Sequence, residues 1–254
     1  MSGDKLYQAV LDQPDRDGPR RQYAAYLEQQ GDELGEYVRL ALDLDRNRLP
    51  PENRARALDL HNKLRDRQTA PLQPWIRTYQ RDRGFVTMVA MDGQTFMDHG
   101  SEVFSRAPIQ HLDLLNAKPV FAEIVGSPLL ARVQTLTLEN NDLGDHEAQL
   151  LGASPHVRRL LSLDLSRNRI GLPGLEAIAA SPNLQALRIF VFDHNVVENP
   201  VSQWSSDGVS GLTHYEGAGS TQALLEKKYG TRQWMHPSEG DQNLNRFRLC
   251  DAGE

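Results

Sequence analysis

The sequence predicts an α/β fold: a leucine-spaced repeat solenoid, with a curved parallel sheet, helices on its convex side and an N-terminal helical cap. Three observations predict it. A nine-residue phrase with apolar residues at its first, fourth and sixth positions and Asn at its ninth occurs three times: Val133, Leu136, Leu138 and Asn141; Leu160, Leu163, Leu165 and Asn168; Leu187, Phe190, Phe192 and Asn195. The three Asn stand 27 residues apart, as do Pro128, Pro155 and Pro182, each preceded by Ser. An earlier copy, Ile109, Leu112 and Leu114, keeps the apolar spacing, has Ala117 in place of Asn, and stands 24 residues ahead of the next.

A period in the twenties carried by this phrase is the signature of a leucine-rich repeat. Alternating apolar residues make a very short strand whose leucines enter the core while the residues between them face out. Strands are therefore expected near 112–114, 136–138, 163–165 and 190–192. The closing Asn141, Asn168 and Asn195 are structural: each amide can bond its own turn and the backbone of the neighbouring repeat. Between phrases the chain reads as helix, over 145–153 and 174–180, with Leu175, Ile178 and Ala179 at helical spacing and Ser181-Pro182 as a stop. Helices wider than strands curve such a stack and expose the strand face as a shallow trough.

The 254 residues are 39% hydrophobic and 24% charged, with a formal charge of −6. No run is long and apolar enough for a membrane span, and no apolar stretch follows the N-terminus, which gives the expectation of a cytoplasmic protein. The one cysteine, Cys250, excludes an internal disulfide framework and a thiolate metal cluster. Residues 1–83 carry 15 Lys/Arg against 14 Asp/Glu, and residues 84–254 carry 13 against 20. The repeat half is thus the acidic half, which argues against a nucleic-acid backbone as partner. The basic residues Arg54, Arg56, Lys63, Arg65 and Arg67 are interspersed with Glu52, Asp59 and Asp66 at helical spacing, a solvated and internally paired helix face.

Taken from the start, residues 1–48 read as three short helices with inward faces at Leu6, Ala9 and Val10; at Tyr23, Tyr26 and Leu27; and at Leu34, Tyr37, Val38, Ala41 and Leu42. Pro19 suits the first turn of the second helix, and Gly31 ends it. Residues 53–67 form a fourth helix, with Ala57, Leu60, His61 and Leu64 on one face. Leu72, Trp75, Ile76 and Tyr79 continue as an aromatic helical segment. Residues 85–91 alternate as a strand, and 95–104 follow as a helix. After Asn195 the pattern fails: Gly208, Gly211, Gly217 and Gly219 suggest a long loop or degraded repeat. Residues 221–229 resume as helix, with Leu224 and Leu225 buried and Trp234 as a terminal packing unit. The domains expected are therefore 1–83, a helical cap; 84–236, the solenoid with its irregular C-terminal part; and 237–254, a polar tail.

Tyr23, Ala24, Leu27, Glu28, Gly31, Asp32, Gly35, Glu36 and Arg39 follow a phrase that resembles the repeat-companion domain, a short N-terminal domain found beside leucine-rich repeats in bacterial proteins of planctomycete and myxobacterial type. Ala25 stands where that family usually has aspartate and Tyr26 where it has tryptophan. Trp75, Gly84-Phe85, Tyr229-Gly230 and Trp234 extend the resemblance over most of the chain. The resemblance implies no known chemistry.

No catalytic motif is present. His99, His111, His146, His156, His194, His214 and His236 are scattered singly, without metal-ligand spacing, and there is no phosphate loop or nucleophile elbow. No cofactor and no metal are expected. What remains is a binding surface on the strand face, built from His111, Asp113, Thr135, Thr137, Glu139, Leu161, Asp164, Ser166, Arg188, Ile189, Val191 and Asp193. Gln110, Leu115, Gln134 and Ser162 complete the outward positions. Acidic groups around Leu161, Ile189 and Val191 suit a protein or peptide with basic and apolar groups. The expected function is noncatalytic protein–protein interaction. The alternatives are a structural repeat without a ligand on the trough and an enzyme with an unrecognised site.

Overall fold

In the computed structural model the described residues are 2–45, 50–196 and 221–235. They form an α/β fold with six strands, most of them parallel. The chain divides into two compact units, residues 1–90 with 99–110, and residues 91–98 with the chain from His111 on. The expected glycine-rich loop over 205–220, the tail from 237, Cys250, His214 and His236 lie outside the described residues.

In the first unit, α1 (Gly3–Asp12), α2 (Asp17–Gln29) and α3 (Glu33–Asp45) are the three expected short helices. Such helices are marginal alone, so their stability comes from shared burial. Val10, Ala24, Leu27, Leu34, Tyr37, Val38 and Leu42 form one core with Leu60, Leu64 and Phe85. The expected fourth helix is broken in two at Leu64: α4 (Pro51–Lys63), then α5 (Arg65–Thr69). His61 on α4 is spent locally, its Nδ1 2.8 Å from the Tyr37 hydroxyl.

Residues 78–82 correct the sequence reading, because Tyr79 lies on a strand. Here β1 (Thr78–Asp82) pairs antiparallel with β2 (Phe85–Asp92) around the two-residue loop Arg83-Gly84. Both loop residues have positive φ, 47° and 87°, as a hairpin turn that matches strand twist requires. A Cβ on Gly84 would also meet Val38 at 2.7 Å, so glycine is needed twice over. Arg83 is held in its strained conformation by Asp17 and Asp82, both at 2.9 Å.

The sequence reading also missed Arg20, which is fully buried on α2. Its guanidinium donates to Pro14 O at 2.8 Å and Arg83 O at 3.3 Å and lies 5.1 Å from the centroid of the Phe85 ring. Burial first, then Arg83, lowers its pKa to about 10.

After α6 (Gly93–Arg106) the second unit presents β3 (His111–Leu115), α7 (Phe121–Gly126), β4 (Thr135–Thr137), α8 (Asp145–Ala153), β5 (Ser162–Asp164), α9 (Leu172–Ala180) and β6 (Ile189–Val191), with α10 (Thr221–Tyr229) last. Strands β3 to β6 are parallel, and Leu112, Leu136, Leu163 and Phe190 stand side by side in register. With Leu114, Leu138 and Leu165 they are buried, as are the return-segment residues Ile124, Leu151 and Ile178. The first interval, 24 residues instead of 27, is accounted for by its helix: α7 has 6 residues where α8 and α9 have 9.

β4, β5 and β6 each begin and end one residue earlier than the leucine spacing suggests. The asparagines take the carbonyls just beyond β4 and β5 and, on β3, that of Leu114. Asn141 Nδ2 donates to Leu114 O at 2.8 Å, Asn168 Nδ2 to Leu138 O at 2.9 Å, and Asn195 Nδ2 to Leu165 O at 2.8 Å. The carbonyls of Leu114, Leu138 and Leu165 are therefore bonded to side chains, while backbone bonds continue beyond them, from Asn140 N to Ser166 O at 3.1 Å and from Arg167 N to Asp193 O at 2.8 Å. In return, Asn168 Oδ1 accepts from Asn141 N and Leu143 N, both at 3.0 Å, and Asn195 Oδ1 from Ile170 N at 3.0 Å.

A second row runs along the helical side. Ser154 and Ser181 each stop a helix and donate across to the preceding segment, to Val125 O at 2.5 Å and Gly152 O at 2.6 Å. The same oxygens accept from His156 N and Asn183 N.

Candidate functional site on the strand face

Strand alternation places one row of side chains through His111, Thr135, Ser162 and Ile189, and a second through Asp113, Thr137, Asp164 and Val191. Two residues further on come Leu115, Glu139, Ser166 and Asp193. At the other end, Leu161 N donates to Gln134 O and Arg188 N to Leu161 O, both at 2.8 Å, so these three side chains open the face. The sequence-predicted row is thus assembled in the expected register.

Its exposure is narrower than the sequence reading supposed. Glu139, Arg188 and Asp193 are exposed, and Asp113, Leu115, Gln134, Thr137 and Leu161 are half-buried. Gln110, His111, Thr135, Ser162, Asp164, Ser166, Ile189 and Val191 are buried. On β4 and β5, neighbouring strands about 4.8 Å away on both sides remove most of the accessible surface even on an outward face; Ile189 and Val191 are buried too, on β6, which follows β5 at the end of the strand order. Asp164 is further enclosed by its own turn: Oδ1 accepts from Ser166 N at 2.9 Å and Ser166 Oγ at 2.7 Å. On the core side of β6, Phe190 packs edge-on to Trp234, with ring centroids 4.9 Å apart.

Charge on the face is only partly neutralised. Arg167, a residue the sequence reading passed over, reaches Glu139 at 3.1 Å. It sits at the eighth position of its phrase, where Asn116, Asn140, Arg167 and His194 all take positive φ of 50–58°. That common left-handed position swings the eighth side chain toward the rim, a signal readable from the two Asn. Asp142, beside it, is held by Lys118 at 2.8 Å and by Arg169, and Lys118 first keeps its carboxyl below the usual range. Asp113 differs: burial, then the carboxylates of Asp164 and Glu139, pushes its pKa up to about 6.

This arrangement is not that of a hydrolytic centre. Ser166 Oγ is engaged by a carboxylate in a local turn, which orders the loop and generates no nucleophile. Among the described residues no group of three His, Cys, Asp or Glu is placed to hold a metal ion. No helix among them is long and apolar enough to cross a membrane.

The first unit has a cavity of about 410 Å³ lined by Tyr7, Tyr23, Phe85, Arg67 and Arg106, among others. Its two guanidiniums are already committed, Arg67 to both Asp32 oxygens at 2.7 and 2.6 Å, and Arg106 to Glu102 and Pro71 O. Little positive charge is left there to recruit an anion. Of the residues that carry the family resemblance, Gly35 is required by close packing, since a Cβ there would meet Ala24 O at 2.5 Å, and Glu28 and Arg39 pair with each other at the surface at 2.9 Å.

Compared with family models, with curated proteins and with solved structures, the chain matches none.

Proposed function

We propose that this chain is a noncatalytic interaction scaffold: a leucine-rich repeat solenoid, headed by a domain of the repeat-companion type, whose strand face captures a protein segment with basic and apolar groups. The observation that carries the reading is the mixed character of the face. Glu139 and Asp193 are exposed, Asp113 is a half-buried acid, and Leu161 and Leu115 lie half-buried among them. Charges at such a rim orient and accelerate encounter, while the apolar side chains supply the desolvated centre. Residues 84–254 carry a formal charge of −7, which favours basic partners over acidic ones.

The test is binding of a fluorescent alanine–leucine peptide with one central arginine, followed by anisotropy. Reversing the exposed acids together, Glu139→Lys with Asp193→Lys, should weaken binding at least tenfold. Asp164 is not used, because reversing it would break its turn. Glu123→Lys on α7, exposed on a return helix, shifts the net charge by half as much as the double reversal, should change little, and is the control for charge placed off the strand face. Equal losses in both chains would show a response to overall charge and sink the strand-face reading.

A further inference from the structure

Among the outward positions, Asp113 and Thr135 stand apart from the rest. Thr135 is buried, and its hydroxyl, like the Nε2 of Gln110 at the start of the face, has no hydrogen-bond partner; of the two, only Thr135 lies on a strand next to an acid. Natural structures seldom leave such a group without a partner. Thr135 lies two residues before Thr137 on β4, on the same face, and Thr137 is the direct register partner of both Asp113 and Asp164. The idle hydroxyl therefore sits diagonally next to Asp113, at the centre of the row.

Asp113 is a carboxylate held where ionisation is unfavourable. Around it, β3 contributes His111 on the same face; β4 contributes Thr135, Thr137 and Glu139; β5 contributes Asp164 and, through its following turn, Arg167. The one titratable residue of β2, Asp92, accepts from the Asn116 amide at 2.7 Å. Arg167 is directed to Glu139 and not to Asp113. The only cation of this set is thus already engaged, while the acids Asp164 and Glu139 oppose ionisation of Asp113.

We infer that Asp113 and Thr135 form the seat for one cationic side chain of the bound segment, a guanidinium or ammonium, and that acidification releases it. This rests on the strand-face reading and deepens it. A cation placed between Asp113, Glu139 and Asp164 relieves the repulsion among three acids, and a rotation of the Thr135 side chain, whose oxygen is enclosed in the free chain, lets that hydroxyl accept from the cation. Guanidinium, with five donors in a fixed fork, can reach a carboxylate and a hydroxyl together. The seat works only with Asp113 ionised. With its pKa near 6, the ionised fraction falls about tenfold between pH 7.5 and pH 5, and affinity falls with it.

The experiment uses the full chain and the same central-arginine peptide, at pH 7.5 and pH 5, beside a peptide with neutral citrulline in place of arginine. The arginine peptide should bind about tenfold more weakly at pH 5, and the citrulline peptide weakly at both values. Asp113→Asn, close in shape, should bring the pH 7.5 affinity down to the pH 5 level and flatten the profile. His111→Gln, which removes the other titratable group of β3 on this face, should leave the profile in place. Thr135→Val should weaken binding while keeping the pH dependence. Equal affinity at the two pH values, no binding at pH 7.5, or an unchanged Asp113→Asn chain would overturn the seat. If Asp113→Asn has no effect while Glu139→Lys with Asp193→Lys weakens binding, the seat is wrong and the strand-face reading stands. If neither has an effect, both are wrong.

Discussion

At the scale of single residues, the strongest determinant of the second unit is the side-chain amide of Asn168. It accepts two backbone N–H groups of the preceding turn and donates to Leu138 O, Leu165 O and Ser166 O, all in a buried setting. Asn168→Ala strands several of these groups at about 1–3 kcal/mol each; partial relaxation should leave a loss of about 3 kcal/mol, measurable by urea denaturation. The neighbouring Arg167 points the other way. At φ 55° an arginine is strained, while Asn or Gly is not. Arg167→Asn should therefore stabilise the chain by roughly 0.5 kcal/mol, since the exposed ion pair it gives up is worth little. Asp113 supplies a pH-dependent case. Its carboxyl ordinarily ionises at 3.8 and in the fold at about 6, so the folded chain holds the proton longer than the unfolded one. Stability is lost as pH rises through that interval, and the full penalty stands above it. Asp113→Asn should raise stability at pH 7.5 by on the order of 1–2 kcal/mol after screening, and should give no gain at pH 4. The three Asn were legible because a ninth-position amide at fixed period has one geometric use. Asp164 was not: its position said outward, but Ser166 two residues later turned its carboxylate into a loop brace.

At the scale of elements, periodicity located the strands and return helices well, because each leucine row must face one core. Over 145–153 the expected helix coincides with α8, and Gly144 N bonding to Glu147 Oε2 at 2.7 Å shows how its start is fixed. Sequence reading failed where a short local signal outweighed spacing. Residues 72–79 have apolar spacing compatible with a helix, yet Arg83-Gly84 closes a hairpin that draws Thr78–Asp82 into a strand. Arginine is an uncommon first residue for such a turn, so the signal is weak in the sequence. Ser181-Pro182 stops α9 as the sequence predicts, and the period it shares with Ser154-Pro155 also marks hydrogen bonds between neighbouring segments. Ser181→Ala removes the donor to Gly152 O and the acceptor for Asn183 N, both buried. The expected cost is about 1–2 kcal/mol. Hydrogen exchange should show faster opening of the amide of Asn183, with the strand amides of β4 little changed.

At the scale of the whole molecule, the informative quantity is where charge is left unspent. Basic groups of α4 and α5 are consumed locally: Arg56 by Glu36 at 2.7 Å, Lys63 by Glu33 at 2.7 Å and Arg67 by Asp32 at 2.6 Å. The sequence predicts pairing within the helix, which Arg56 with Asp59 at 3.2 Å shows, but these residues are paired mainly with acids at and before the start of α3, 20 to 35 residues away. The strand face has no such balance, with Asp113 unneutralised and Asp193 exposed beside the Glu139–Arg167 pair. Proximity on this face could be read from register; the burial of half its residues could not, since it depends on neighbouring strands and on local turns. The consequence for association is kinetic. If the proposed scaffold meets basic segments through this field, the association rate of the arginine peptide should drop several-fold between 0.01 and 0.15 M salt, as the screening length shortens from about 30 to 8 Å. Glu139→Lys with Asp193→Lys should abolish that salt dependence or reverse its sign, and at 1 M salt, where screening acts within about 3 Å, its association rate should approach that of the unaltered chain. Dissociation should respond far less to salt, because it reports the desolvated contacts at Leu161 and Asp113. Stopped-flow anisotropy separates the two rates, and a salt-independent association rate in the unaltered chain would remove electrostatic capture from the mechanism.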